Sequence, residues 1–157
     1  MTIAELGIFG AVLLVGLLAG NELCALIVHV TLDRLPTAQS LAGSQAVTRQ
    51  MGQLMPIFMP ITIIVTFATG IATFATGIGL NNVRSALLIA AGCALVGMLV
   101  ITLVGLRPLN DHELAATAET PETDWRSWRR KWIRLHSVRV GCDIAALVLV
   151  AVAAAIN

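Results

Sequence analysis

Charge is what this sequence lacks most. Only 12% of its 157 residues are Asp, Glu, Lys or Arg, against 57% hydrophobic, where a soluble domain carries about 25% charged residues. That is too little charge to cover a soluble surface, so lipid must solvate most of the chain. Tyrosine is absent and tryptophan occurs three times. Cysteine is scarce as well: Cys24, Cys93 and Cys142 sit in apolar stretches with no CxxC spacing. A disulfide framework or zinc site is thereby disfavoured, and the three read as small packing residues. No P-loop, dinucleotide fingerprint, HExxH motif or Ser-His-Asp order is present. A basic n-region is missing too, and the N-terminal apolar stretch is too long for a signal peptide, so it reads as a retained first span.

What is there is apolar and long. A bilayer core of about 30 Å needs about 20 apolar residues in a helix, and four segments qualify, at roughly 8–30, 54–78, 86–106 and 138–156. The expected fold is an all-α membrane protein, one domain over residues 1–157, built as a four-transmembrane-helix bundle. Charge sets its orientation. Arg34 and Arg49 lie between spans one and two, and seven basic residues from Arg107 to Arg139 lie between spans three and four. The opposite side has only Arg84, so the positive-inside rule puts the basic loops in the cytoplasm and both termini outside the inner or plasma membrane. The basic patch at 126–139 has no readout element beside it, so it faces anionic lipid rather than nucleic acid.

Thr120-Pro121-Glu122 has the order N-cap, proline at N1, acid in the first turn. No Gly or Pro follows before the fourth span. One helix of about 35 residues, roughly 50 Å long, is expected, its first third extending into the cytoplasm or lying on the interface. Span two carries a repeat, Phe67-Ala-Thr-Gly-Ile71 and Phe74-Ala-Thr-Gly-Ile78. Its threonines and glycines make a small, weakly polar face suited to close helix packing, or to walling a slot for a flat ligand.

Polar residues at membrane depth need a reason. Glu22 lies inside span one, and His29 and Asp33 follow within about 40° of its face. A carboxyl group there is costly unless paired, protonated or hydrated, which makes Glu22 either a functional group or interhelical glue. On the fourth helix Trp125, Trp128, Trp132, His136, Arg139 and Asp143 form a stripe about 80° wide. Trp125 and Trp128 fit an aromatic belt, whereas Arg139 and Asp143, at i and i+4, fit an ion pair or a site. Past span three, Pro108 should stop or kink the helix and leave Asn110 at the cytoplasmic membrane edge. His29, His136 and Arg139 reach the same level.

The run Arg107-Pro-Leu-Asn110, followed by Trp125…Trp132…His136-Ser-Val-Arg139 and set in four spans, resembles the anthrone oxygenase family of small membrane proteins. Leu35-Pro36 and the amphipathic stretch after it are also similar. One departure is His136, where asparagine is frequent in that family. The resemblance implies oxidation of a hydrophobic aromatic anthrone by O₂ as cosubstrate, with no redox cofactor required. It then implies a base, His136 or second His29, and donors to the enolate and peroxide oxygens, Asn110 and Arg139. A metal-assisted version would use a transition metal on His29, His136 and Glu22. The other readings are a non-enzymatic subunit that binds a partner or a second copy of itself, and a proton-coupled carrier using Glu22 and Asp143. The subunit predicts polar groups paired off with no cavity; the carrier predicts a wet cavity reaching both faces.

Overall fold

The structure is a computed structural model that describes residues 2–75, 80–117, 119–120 and 122–156. Every regular element in it is helical: α1 (Ile3–Leu32), α2 (Thr37–Ala75), α3 (Leu80–Val100), α4 (Arg107–Ala115) and α5 (Glu122–Ala155). A π-helical turn, Ile101–Leu106, joins α3 to α4 without a break. Four continuous helices are long and apolar enough to cross a membrane, beginning at Ile3, Thr37, Asn82 and Glu122. The chain is an all-α integral membrane protein.

The helices stand in a ring. α1 packs on α2, α2 on α3, α3 on α5, and α5 back on α1, the antiparallel order that short connections impose. Each contributes apolar residues at spacings of three and four to a shared core: Val15 and Leu18, Met59 and Ile63, Leu88 and Leu95, Ala146 and Val150. The outward faces are equally apolar, with Leu17, Ile57, Ile64, Val104 and Val148 more than half exposed. A helix apolar on every side is what lipid permits and water does not. Helix α1 opens with a capping box, in which Thr2 and Glu5 exchange side-chain and backbone hydrogen bonds.

Two helices run further than their sequence suggests. Helix α2 starts at Thr37, ahead of the apolar run that opens near residue 54, and runs 39 residues through Pro56 and Pro60. Its amphipathic first half buries Ser40, Leu41, Ser44 and Thr48. Pro108 does not stop its helix either. Proline has no N–H for the carbonyl one turn back, and the preceding turn widens to i→i+5 bonding, with the Arg107 N–H reaching the Thr102 carbonyl. Helix α5 spans 34 residues, close to the length expected. The cap read at Thr120-Pro121 involves Pro121, and the second copy of the repeat involves 76–78; these lie outside the described residues.

The threonine and glycine face of α2 is a packing face. Thr62, Thr66, Thr69 and Thr73 each donate a hydroxyl to their own i−4 carbonyl. Ser85 of α3 donates to the Gly70 carbonyl at 2.8 Å. Opposite, a Cβ on Gly92 would come within 2.7 Å of the Phe67 ring, so only glycine allows α2 and α3 to approach this closely. This face packs helix against helix and walls no slot.

Candidate functional site

A cavity of about 680 Å³ lies between α2 on one side and α3, the π turn and α4 on the other. Its depth is made by α1 and α5. The buried stripe of α1, Ala11, Val15 and Leu18, continues at the same spacing to Glu22, Ala25 and His29, so these last three point inward too. The buried stripe of α5 runs Trp125, Arg129, Trp132, His136, Arg139 and Asp143. Glu22, His29, Trp132, His136 and Arg139 all line the cavity, and Asn110 lines it from α4. The side walls are apolar, chiefly Met55, Pro56 and Met59 facing Leu99, Leu103 and Leu106. Exposed Gly52, Arg107, Asp111 and Leu114 form the rim.

Arg139 is the centre of the polar floor. It forms a buried ion pair with the Glu22 carboxylate and donates to the Thr102 hydroxyl at 3.1 Å. The π turn carries Thr102, so the accommodation of Pro108 also positions this contact. Of the two readings of Arg139 and Asp143, the intrahelical ion pair is not formed. Asp143 is fully buried, and neither carboxylate oxygen has a hydrogen-bond partner among the described residues. A partner on the neighbouring helix has taken the arginine.

His136 has a defined tautomer. Its Nε2 lies 3.1 Å from the Glu22 backbone carbonyl and 3.6 Å from that residue's carboxylate. Both can only accept, so Nε2 carries the proton. The lone pair then sits on Nδ1, which is buried and without a hydrogen-bond partner among the described residues. The ring is held flat on Trp132, with centroids 4.4 Å apart and planes 14° apart. His29 sits on the same indole at 4.2 Å, but its Nδ1 faces the Arg129 guanidinium and must accept from it. Its lone pair is engaged, whereas that of His136 is not.

Trp132 orients a second group. Its Nε1–H donates to Asn110 Oδ1 at 2.7 Å. Indole N–H is a donor only, so the Asn110 oxygen is fixed and its amide N–H groups remain free to donate. Arg129 does not stand out in the sequence as a site residue, and Trp132 does so only as a member of the tryptophan stripe. The signal was present for both: each falls on the stripe through His136 and Arg139. Arg129, only 1% exposed, donates to Glu113 at 3.2 Å and to the His29 carbonyl at 3.0 Å. Glu113 in turn accepts from Thr48 at 2.5 Å, and Gln45 donates to the Glu113 and Ala116 carbonyls at the end of α4. This network ties α4 down over the cavity.

Trp125 is no belt residue. It is 3% exposed, with the Arg129 guanidinium 5.9 Å from its ring centroid. Trp128 stacks on His112 at 5.3 Å. Asp33 ends α1 as its C-cap and does not line the cavity. Among the described residues no group of three His, Cys, Asp or Glu side chains is arranged to hold a metal ion. Glu22 and His29, two of the three ligands a metal would have taken, are instead engaged by arginines.

A family model described as anthrone oxygenase matches residues 50–149, well over half of the chain. The chain belongs to the anthrone oxygenase family. The matched stretch holds Asn110, Trp132, His136 and Arg139, while Glu22 and His29 precede it. Searches of curated proteins and of solved structures found no match.

Proposed function

We propose that this member of the anthrone oxygenase family is a membrane-embedded enzyme that oxidises a hydrophobic, anthrone-type aromatic substrate with O₂. The observation that carries the proposal is one cavity with apolar side walls, on whose floor a buried imidazole keeps an unengaged lone pair beside unspent N–H donors. An anthrone methylene is acidic because its conjugate base is an aromatic enolate. His136 Nδ1 takes the proton, and an Asn110 N–H donates to the enolate oxygen. The enolate gives one electron to O₂, and the radical pair joins as a carbon-bound peroxide, whose outer oxygen takes the proton held on His136. Loss of the second methylene proton then breaks the O–O bond, leaving the inner oxygen on carbon as the carbonyl and releasing the outer one as water. The sum is CH₂ + O₂ → C=O + H₂O. Arg139, which lines the cavity, sets its positive charge beside the developing peroxide. The dry apolar walls keep competing water away from the enolate.

A carrier needs a path to both faces. The cavity and the pocket at the other end of the bundle, lined by Thr2, Glu5 and Arg84, share no residue, and Leu18, Ile63, Leu95 and Val150 are packed in the core. A purely structural subunit needs no cavity.

The test is to mix purified protein with a simple anthrone without oxygen, add O₂ and follow quinone absorbance. The expected result is formation above the spontaneous rate that His136→Ala lowers by about 10²–10⁴-fold and that a chelator leaves unchanged. No rate above background in the wild type would contradict the proposal. Loss of activity with chelator would replace its cofactor-free chemistry with a metal mechanism.

A further inference from the structure

The rim of the cavity carries a charge that the floor does not use. Arg139 is matched by Glu22 inside the cavity, and Arg129 is held by Glu113 behind it. Arg107 also lines the cavity and is exposed, and its guanidinium makes no ion pair or hydrogen bond with any described residue. It therefore stands at the mouth with all five N–H donors unspent. Asp111, one turn later on α4, lines the same rim and is likewise unpaired with it. The walls leading inward from this rim are Met, Pro and Leu.

A ligand matching this gradient has a flat apolar body that enters between α2 and α3, and an anionic group that stays behind at the mouth. We propose that Arg107 is an anion subsite, and that the ligand of the cavity is an aromatic carboxylate whose charged group the Arg107 guanidinium holds at the rim. The inference rests on the oxygenase reading for the aromatic body. A guanidinium presents two parallel N–H groups to a carboxylate, a geometry that lysine would not reproduce. Asp111 opposes the same charge and sets the upper limit on the preference.

The experiment uses the full-length protein in nanodiscs and two unreactive probes, anthraquinone-2-carboxylate and neutral anthraquinone. Quenching of tryptophan fluorescence reports binding, since Trp132 lines the cavity. The quantity read is the ratio of the two affinities, in which partitioning into lipid cancels between variants. Arg107→Gln should lower the preference for the carboxylate about fivefold. Asp111→Asn should raise it, and neither should change the affinity for anthraquinone. A ratio unmoved by both substitutions would overturn the anion subsite and leave the oxygenase reading standing. Binding of neither probe by the wild type would overturn both. Palmitate displacing the carboxylate probe as effectively as unlabelled anthraquinone-2-carboxylate would show a site for acyl anions and overturn the aromatic assignment.

Discussion

At the scale of single residues, the site is made by groups that fix one another's hydrogen-bonding roles. Trp132 can only donate, so Asn110 must accept from it and keep its N–H groups. The Glu22 carbonyl can only accept, so His136 must donate from Nε2 and keep a lone pair on Nδ1. Asn110→Asp separates the two jobs of that residue. A carboxylate still accepts from Trp132, so the thermal midpoint should change little. The donor is lost, however, and kcat should fall by about 10²-fold; an unchanged kcat would remove Asn110 from the chemistry. Angular arithmetic put Glu22 and His29 on one face of the first helix and His136 and Arg139 on one stripe of the fourth, and the structure brings all four to one cavity. The same arithmetic offered Arg139 only Asp143 as an ion-pair partner, as the alternative to a site. It sees neighbours one turn away on its own helix, and Glu22 comes from another helix.

At the scale of elements, hydrophobic runs made the four long helices legible, because lipid demands them. The polar parts of helices were less so. The first half of α2 has no apolar run and reads only as an amphipathic stretch, yet buried Ser40, Ser44 and Thr48 give it one inward face. Pro108 reads as a stop or a kink because sequence offers no sign that a wide turn will absorb it. Helix α4 is the element with least apolar burial of its own, and its place depends on the Arg129–Glu113–Thr48 network. Arg129→Met leaves the Glu113 carboxylate buried and uncompensated, at a cost of about 3 kcal/mol. Hydrogen–deuterium exchange over 107–116 should accelerate in that variant while the core of α3 stays protected. Uniform exchange across the bundle would mean that α4 is not a separately anchored element.

At the scale of the molecule, the fold and the family follow from a composition that excludes water as the main solvent, joined to a short motif between 107 and 139. The orientation rests on the arginines of the loops. In a variant without native cysteines, Glu119→Cys should react with a membrane-impermeant maleimide only after the cells are permeabilised. Labelling of intact cells would reverse the topology. The cavity itself was not legible, since its volume depends on how α2 and the π turn diverge, and no local pattern encodes that distance. The most direct test of the central claim, that His136 acts as a base on the substrate, removes oxygen altogether. Anthrone in anaerobic D₂O buffer exchanges its methylene protons whenever it is deprotonated, and mass spectrometry reads the exchange. The account predicts exchange accelerated by the wild-type protein and returned to the spontaneous rate by His136→Ala. Equal acceleration by both proteins would contradict it.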